Sequence, residues 1–352
     1  MAVTVGKMSL AGRLAGPSLR VRMTRRTETE FLFALTNPGT EKALKREVEV
    51  TGLDWRLSYQ RRGFVTFKAD TPFTLDSLDV EVACARRLCL SLGKSATREE
   101  AVGKLGEVKL IHHARFQDRK MQGVHEGEPL PRPRNGDLIG TVVELGEGEY
   151  WSGIHRHRPF LSPDPAGDSG IVMAQRSPSR AWLKLEEAAR FFDIEFTSKD
   201  IVVELGCAPG GVVLALLDRG VPVIGVDPAK MADVVMEHAV PDRESVPAGK
   251  PWFYHCRKPA ALTSKRDLGQ GVTWFMSDMN QSPEVVLKEC ARFCKMAPGG
   301  IPGVLVTLKL TDPVQVEEKA AWFAALREMG FRTIRLQQLA VHHKELALLA
   351  MR

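Results

Sequence analysis

The chain has 352 residues, of which 44% are hydrophobic and 26% are charged, and its formal net charge is +6. This length is enough for two domains with separate cores, and the charged fraction is typical of a globular protein. No apolar run approaches the roughly 18 residues that a membrane span needs. The composition therefore excludes a membrane protein, a collagen-like fibre and a disulfide-stapled miniprotein.

The six cysteines do not form a metal-binding or disulfide pattern, because no two of them stand in a C-x-x-C pair. Cys290 and Cys294 are four residues apart and would share one face of a helix. We interpret all six as small buried apolar residues in a protein from a reducing compartment.

The positive charge is concentrated in residues 1–29, which hold six Lys and Arg residues against Glu28 alone. The remaining residues are almost neutral, so the high net charge does not by itself predict nucleic-acid binding. Three interpretations of this segment stay open: a disordered, RNA-contacting tail, an organelle transit peptide, and translation that starts at Met23. We predict a cytoplasmic protein, with organelle targeting as the alternative.

Residues 30–155 predict a small α+β domain. A strand at Phe31–Leu35 ends at Asn37-Pro38-Gly39, and a helix follows over Thr40–Val50 with Thr40 as its N-cap. Residues 96–137 are polar and proline-rich, and they predict no element. Further predicted strands are Gly63–Lys68, Cys84–Leu92 and a closing hairpin of Leu138–Leu145 and Tyr150–Ile154.

Residues 156–180 are rich in proline and glycine, which indicates a linker or an approach loop. The basic run of His155, Arg156, His157 and Arg158 leads into it. A solvated patch and a phosphate contact are both compatible with this run.

Residues 181–352 alternate between helices and apolar strands. Strands without polar alternation, separated by helices, indicate a parallel sheet that is covered on both faces. The predicted helices are Leu183–Phe192, Val212–Arg219 and Pro313–Met329. The predicted strands are Ile201–Leu205, Val221–Val226, Trp252–Cys256, Val272–Met276, Gly303–Leu308, Thr333–Leu339 and Leu346–Met351.

The segment after the first of these strands predicts a cofactor site. Its glycines allow a tight turn that brings the backbone close to a ligand, but the spacing is not the G-x-G-x-x-G of dinucleotide-binding proteins. The carboxylate of Glu204 suits a ligand with an ammonium group, as in S-adenosylmethionine, and Asp227 ends the next strand, where it can bind ribose hydroxyls. The residues of this candidate site are Glu204, Gly206, Cys207, Ala208, Pro209, Gly210, Gly211 and Asp227.

Two charged residues end later strands of the same sheet. Asp278 and Lys309 would lie at the carboxyl edge, where open parallel sheets bind ligands. Charged residues are costly to bury there unless they are paired or used in function. Lys184, on the helix before the sheet, and Glu345, at the start of the last apolar run, are unremarkable on their own.

Taken together, Lys184, Asp278, Lys309 and Glu345 resemble the Lys-Asp-Lys-Glu tetrad of the FtsJ-type ribose 2′-O-methyltransferases. Within that superfamily the sequence is most similar to the RlmM-type enzymes, which methylate a cytidine of bacterial large-subunit (23S) rRNA. The similar stretches are 178–187, 204–211, 274–279, 308–310 and 338–345, with weaker similarity at 37–42, 63–65 and 85–87.

The resemblance implies a Rossmann-like methyltransferase domain at the C-terminus and a ferredoxin-like or THUMP-like RNA-binding domain at the N-terminus. It also implies S-adenosylmethionine as cofactor, large-subunit rRNA as partner, and no metal. Asp278 would then contact both cofactor and acceptor. Lys309 would deprotonate the ribose 2′-hydroxyl or, if charged, orient it, and Lys184 and Glu345 would position the ribose and Lys309.

The third strand departs from the family because it has no acidic residue for the adenine. Backbone atoms, His255 or Cys256 are the candidates to replace that contact. Three other functions stay open: methylation of a base or a protein, ribose methylation of another RNA, and a catalytically inactive RNA-binding protein. The sequence Asp278-Met279-Asn280-Gln281 lacks the D/N-P-P-Y/F motif of N-methyltransferases and argues against the first of these.

Overall fold

The structure, a computed structural model, describes residues 28–125, 127, 130–246 and 249–352. The predictions about the basic tail lie outside these residues, apart from Glu28 and Thr29. Thr29 opens the first strand.

The N-terminal part forms a mostly antiparallel sheet of eight strands in the order β2-β3-β1-β4-β8-β7-β5-β6, in which β5 and β7 run parallel. Two helices accompany it, α1 (Glu41–Val50) and α2 (Arg98–Gly103). The strands are β1 (Thr29–Leu35), β2 (Arg56–Arg61), β3 (Phe64–Phe73), β4 (Arg87–Ser95), β5 (Leu110–Gln117), β6 (Lys120–Gly123), β7 (Leu138–Gly146) and β8 (Glu149–Arg156).

Most N-terminal predictions agree with these elements, but strand β2 was not predicted and three further differences are found. The third predicted strand, Cys84–Leu92, begins only at Arg87, and residues 96–137 contain α2, β5 and β6. Thr40 occupies the N-cap position of α1, but its hydroxyl does not cap the helix. Instead it donates to the carbonyl of Asn37 at 2.5 Å, because the chain turns back on itself there.

The basic run at 155–158 is not a fully solvated patch, and a phosphate contact there stays a prediction. The imidazoles of His155 and His157 are buried, and burial lowers the pKa of His157 to about 4. Arg156 pairs with Asp76, and Arg158 pairs with Asp79. The side chains of this run therefore pack within the N-terminal part or form ion pairs on it.

The predicted linker, 156–180, packs against its surroundings. A short 3-10 turn covers Pro165–Gly167, and the carboxylate of Asp164 accepts hydrogen bonds from Arg190 at 2.5 and 2.9 Å. Arg87 reaches the carbonyls of Ser162 and Asp164. The division into domains at 155 and 180 stays a prediction.

The C-terminal part forms a second eight-stranded sheet in the order β11-β12-β10-β9-β13-β14-β16-β15. All its pairs are parallel except those of β16, which runs antiparallel to both neighbours. Chain order reverses at β9, as in doubly wound Rossmann-like sheets. The strands are β9 (Val202–Leu205), β10 (Val223–Val226), β11 (Ala239–Val240), β12 (Phe253–Cys256), β13 (Trp274–Ser277), β14 (Gly303–Lys309), β15 (Thr333–Gln337) and β16 (Glu345–Met351).

Helices cover both faces of this sheet, so the strands are buried and apolar. They are α3 (Ala181–Phe192), α4 (Gly211–Leu217), α5 (Asp233–Met236), α6 (Lys265–Leu268), α7 (Pro283–Met296) and α8 (Lys319–Glu328). The single helix predicted over Pro313–Met329 is wrong in its first part, because Pro313–Glu318 forms a 3-10 turn before α8 begins.

The six cysteines are free and buried, as predicted. Among the described residues, none of the helices combines the length and the apolar character needed to cross a membrane.

Candidate active site

Four charged side chains meet at the carboxyl edge of the C-terminal sheet. Lys309 Nζ lies 2.7 Å from Asp278 Oδ1 and 2.7 Å from Glu345 Oε1. Lys184 Nζ lies 2.9 Å from the same Asp278 oxygen and 3.0 Å from Glu345 Oε2. Each lysine therefore bridges both carboxylates, and the four residues form a closed ring, which we call the tetrad.

Three strands and one helix position the residues of the tetrad. Lys309 is the last residue of β14, and Glu345, the first of β16, is its direct partner across the antiparallel pair. Asp278 follows β13, the neighbour of β14. Lys184 projects from the first turns of α3. The two carboxylates and Lys309 are thus fixed by strand register, and the helix adds the second cation.

The tetrad is mostly buried, with side-chain exposures of 13–16%. Burial by itself would lower the pKa of Lys309, but the carboxylates of Asp278 and Glu345 outweigh it and raise that pKa above its usual value. Burial likewise opposes ionisation of Glu345, but His342, Lys184 and Lys309 lower its pKa to about 2. Lys309 is therefore an ammonium and Glu345 a carboxylate at neutral pH.

The glycine turn predicted to bind the cofactor lies beside the tetrad. Gly206 has a φ of +73°, and a Cβ there would lie 2.9 Å from Met279 Cγ. Gly210 has a φ of +112°, and a Cβ there would lie 2.6 Å from Val235 Cγ2. Side chains at either position would clash, so the turn requires glycine to run this close to its neighbours.

Between these glycines, the Ala208-Pro209 peptide is cis. Cys207 directs its thiol into the core, 3.7 Å from Met231 Sδ. Cys207 can therefore face a ligand only through its backbone. Gly211 opens α4 and packs against Ser179 and Trp182 at the start of α3.

Asp227 follows β10, as predicted, and its carboxylate accepts the backbone N–H groups of Ala208 at 3.1 Å and Ala229 at 2.8 Å. These bonds hold the carboxylate against the glycine turn and leave lone pairs for ribose hydroxyls. His255 Nε2 lies 3.0 Å from the main-chain oxygen of Asp227, whereas Cys256 is buried. The adenine contacts of His255, Cys256 or the backbone stay a prediction.

Glu204 is the residue whose surroundings most clearly indicate a bound ligand. Its side chain is fully buried, its Oε2 has no hydrogen-bond partner among the described residues, and it lines a cavity beneath the tetrad. Burial raises its pKa well above the usual value, and the charges of Asp278 and Asp227 add to this. A buried carboxyl without a partner is costly. An ammonium group, such as that of S-adenosylmethionine, would satisfy it, so the residues fit this cofactor.

Sequence reasoning missed three side chains around this region. His342 lines the same cavity; burial lowers its pKa to about 4, and its Nε2 has no partner in the described structure. Ser179 Oγ and Trp182 Nε1, near Gly211, are also buried without partners. Single polar residues of this kind carry no sequence pattern, because their significance depends on what the fold packs around them.

The described residues contain no cluster of His, Cys, Asp and Glu able to hold a metal ion.

Comparison with known proteins supports a methyltransferase that uses S-adenosylmethionine. Residues 177–289 match the family of FtsJ-like methyltransferases. The chain is 30% identical over 169 residues to ribosomal RNA large subunit methyltransferase M of Teredinibacter turnerae, which covers 46% of this chain and 43% of that protein. The namesake protein of Azotobacter vinelandii is 27% identical over 219 residues, which cover 58% of this chain and 57% of the relative. The chain thus matches about half the length of these relatives.

A solved ribosomal RNA methyltransferase from Plasmodium falciparum aligns with a TM-score of 0.34 and 14% identity over 49% of this chain and 97% of that one. The fold assignment rests instead on the strand order and the family match. Residues 177–289 of this chain are therefore similar to FtsJ-like methyltransferases, and this similarity supports S-adenosylmethionine as the cofactor.

Proposed function

We propose that the protein methylates a ribose 2′-hydroxyl of RNA, with a cytidine of large-subunit rRNA as the target. The observation that carries this proposal is the tetrad beside the glycine turn, a pair of ammonium groups and a pair of carboxylates at the edge where the sheet binds ligands. The names of the relatives support large-subunit rRNA as the substrate. Such a substrate also favours the cytoplasm as the site of action.

The cofactor half of the site is the glycine turn. S-adenosylmethionine, when bound, supplies an activated methyl group on a sulfonium. Glu204 would accept hydrogen bonds from the amino group of the cofactor, and Asp227 from its ribose. The backbone from Gly206 to Gly211 follows Glu204 in the chain, and the N–H of Ala208 within it donates to Asp227.

The acceptor half is the tetrad. Lys309 Nζ donates to Asp278 and Glu345, and an ammonium has a third donor. We assign this donor to the incoming 2′-hydroxyl, which it would orient and whose developing negative charge it would stabilise. Because the pKa of Lys309 is raised, this orienting role is favoured over that of a neutral base, and the proton of the hydroxyl would pass to solvent as its oxygen takes the methyl group. Lys184 would hold the two carboxylates in place, and the fixed geometry lowers the entropic cost of bringing hydroxyl and methyl group together.

The N-terminal sheet is our candidate for RNA recognition. The exposed cations Arg62, Arg119, Lys120 and Arg180 line a groove that runs from this sheet to the turn before Glu345. A single RNA strand bound there through its phosphates would pass the tetrad.

The proposal is tested with methyl-labelled S-adenosylmethionine and unmodified bulk rRNA. After the reaction the RNA is hydrolysed with alkali and the labelled fragments are sized. Because a 2′-O-methyl group blocks cleavage of its own phosphodiester bond, label in an alkali-resistant dinucleotide is the expected result. Label in mononucleotides would mean that a base is methylated. If neither naked rRNA nor ribosomal subunits accept label while the cofactor binds, ribose methylation of rRNA is contradicted.

A further inference from the structure

The tetrad depends on a turn that the N-terminal part of the chain holds in place. Residues 338–344 connect β15 to β16, and the next residue is Glu345. Within this turn His342 N–H donates to Leu339 O, and Leu339 N–H donates to His342 Nδ1 at 3.3 Å. These two hydrogen bonds stabilise the turn from within, but most of its other polar groups form hydrogen bonds with residues outside it.

Asn37 supplies the main external contacts. Its side-chain Nδ2 donates to the carbonyl of Leu339 at 2.8 Å and to the carbonyl of His342 at 2.8 Å. Its backbone N–H donates to Gln338 Oε1 at 2.7 Å. Asn37 is only 4% exposed, so water does not replace these bonds readily. One residue between β1 and α1 therefore binds three groups of the turn, about 300 positions later in the sequence.

Neighbouring groups add to the contacts between Asn37 and the turn, and we call this set of hydrogen bonds around residues 338–344 the clasp. Gln338 also contacts the hydroxyl of Thr36 at 2.9 Å, and its backbone N–H donates to the carbonyl of Ala83 at 2.8 Å. From the opposite side, Glu187 of α3 accepts the N–H of Val341 at 2.9 Å. The turn is held between the N-terminal sheet and the helix that carries Lys184.

The end of the turn leads directly into the tetrad. The carbonyl of Lys344 accepts the N–H of Leu310 at 2.8 Å, and Glu345 then contacts both lysines of the tetrad. A displacement of the turn would therefore move the carboxylate that holds Lys309. Misplacement of a reacting group by about 1 Å can reduce a rate by roughly 10²-fold.

We propose that Asn37 is a positioning residue for methyl transfer, and that the N-terminal part of the chain shapes the transfer site as well as binding RNA. This inference rests on the proposed function, because it takes the tetrad as the transfer site. It also gives a role to the Asn37-Pro38-Gly39 segment, which the sequence indicated as the end of a strand and as part of a weakly similar stretch.

The test compares Asn37→Ala with Arg46→Ala. Arg46 of α1 contacts Glu317 at 2.6 Å across the same boundary between N- and C-terminal parts, but it does not touch the turn. For Asn37→Ala we expect the single-turnover rate of methyl transfer to fall at least tenfold, with the dissociation constants for S-adenosylmethionine and RNA within twofold of wild type. Arg46→Ala should keep its rate within twofold.

If Asn37→Ala does not fold, Gln338→Met tests the same prediction. It removes the side-chain amide of the turn that accepts hydrogen bonds from Thr36 and Asn37. Folding of each variant is checked by its thermal unfolding midpoint. Equal losses of rate in Arg46→Ala and Asn37→Ala would mean that loss of any contact between the N- and C-terminal parts slows transfer. This result would overturn the proposal. So would a loss of RNA affinity at an unchanged rate.

A spectroscopic readout separates this inference from the proposed function. The ammonium of Lys309 in the cofactor-free protein is observed by ¹⁵N–¹H NMR and assigned with Lys309→Met. Its signal should shift or broaden in Asn37→Ala and stay unchanged in Arg46→Ala; an unchanged signal in both would contradict the proposed clasp. An inactive wild type would contradict the proposed function, whereas an active wild type with an equally active Asn37→Ala would contradict only this inference.

Discussion

At the scale of single residues, the tetrad is a neutral arrangement of four charges. Two ammonium groups and two carboxylates compensate each other, which offsets much of the cost of burying them. Removing one member would leave its partners buried and unbalanced. The cavity below has no such compensation, because Glu204 has no cation among its contacts in the described structure. This contrast distinguishes the proposed acceptor side, whose charges are already balanced, from the proposed cofactor side, where a ligand ammonium would pair with Glu204.

The pH dependence of transfer tests the state of Lys309. Its raised pKa keeps the amine protonated across pH 7–9. If the ammonium orients the hydroxyl, the single-turnover rate should be flat over this range and decline only as the pH passes the raised pKa. If a neutral amine were required, the rate would rise about tenfold per pH unit.

The control for this profile is Glu187→Gln. Burial raises the pKa of the Glu187 carboxyl to about 7, so this group titrates within the same window. A rise of about tenfold per unit in both proteins would contradict the orienting role, whereas a slope that disappears in Glu187→Gln belongs to Glu187.

At the scale of elements, the site is built where strands end. Asp227, Asp278 and Lys309 close three strands of one parallel set, and the antiparallel β16 adds Glu345 directly opposite Lys309. The glycine turn after β9 lies at the centre of this edge, where the strand order reverses. The proposed cofactor and acceptor groups are therefore adjacent because of topology and not because of sequence proximity.

Gly206→Ala tests the turn. A left-handed conformation at a residue other than glycine costs about 1–2 kcal/mol, and the new Cβ would also approach Met279. We expect both a loss of stability and at least a tenfold weaker binding of S-adenosylmethionine, measured by calorimetry.

Gly220→Ala is the matched control, because Gly220 has a φ of +79° and its nearest neighbour atom would be 3.9 Å from a Cβ. It should lose stability through the backbone conformation alone, and it should bind the cofactor within twofold of wild type. Equal affinities in the two variants would show that the Gly206 turn does not line the cofactor site.

At the scale of the whole molecule, the two sheets share polar and apolar contacts. A continuous cluster of buried apolar residues includes members of both sheets, and Lys319 reaches the fully buried Glu47 of α1 at 2.5 Å. The clasp around residues 338–344 adds further buried hydrogen bonds. These contacts predict that the N- and C-terminal parts unfold together.

Cofactor binding tests this cooperativity. A ligand at 100 times its dissociation constant stabilises the native state by about 2.7 kcal/mol. We expect a single calorimetric unfolding transition that S-adenosylmethionine shifts as a whole, with amides of the N-terminal sheet protected from hydrogen exchange as well. Two transitions, of which only one responds to the cofactor, would contradict this expectation.

The sequence predicted the C-terminal sheet well because buried parallel strands are continuous apolar runs that end in polar residues. Lys184 and Glu345 were different: neither has a local signal, and only the resemblance to a family connected them to Asp278 and Lys309. The contacts of Asn37 and His342 could not be predicted, because they join segments far apart in the chain. The buried histidines at 155 and 157 were misinterpreted because their burial depends on the strands around them.

The central claim is that Lys309 and its partners carry out ribose methylation, and Lys309→Met tests it most directly. The variant should bind S-adenosylmethionine within twofold of wild type, because Lys309 lies on the acceptor side. Its single-turnover transfer of methyl to the alkali-resistant position in rRNA should fall roughly 10³-fold. Lys199→Met, at an exposed lysine of the same domain, should behave as wild type. Transfer by Lys309→Met at a rate close to that of Lys199→Met would contradict the account.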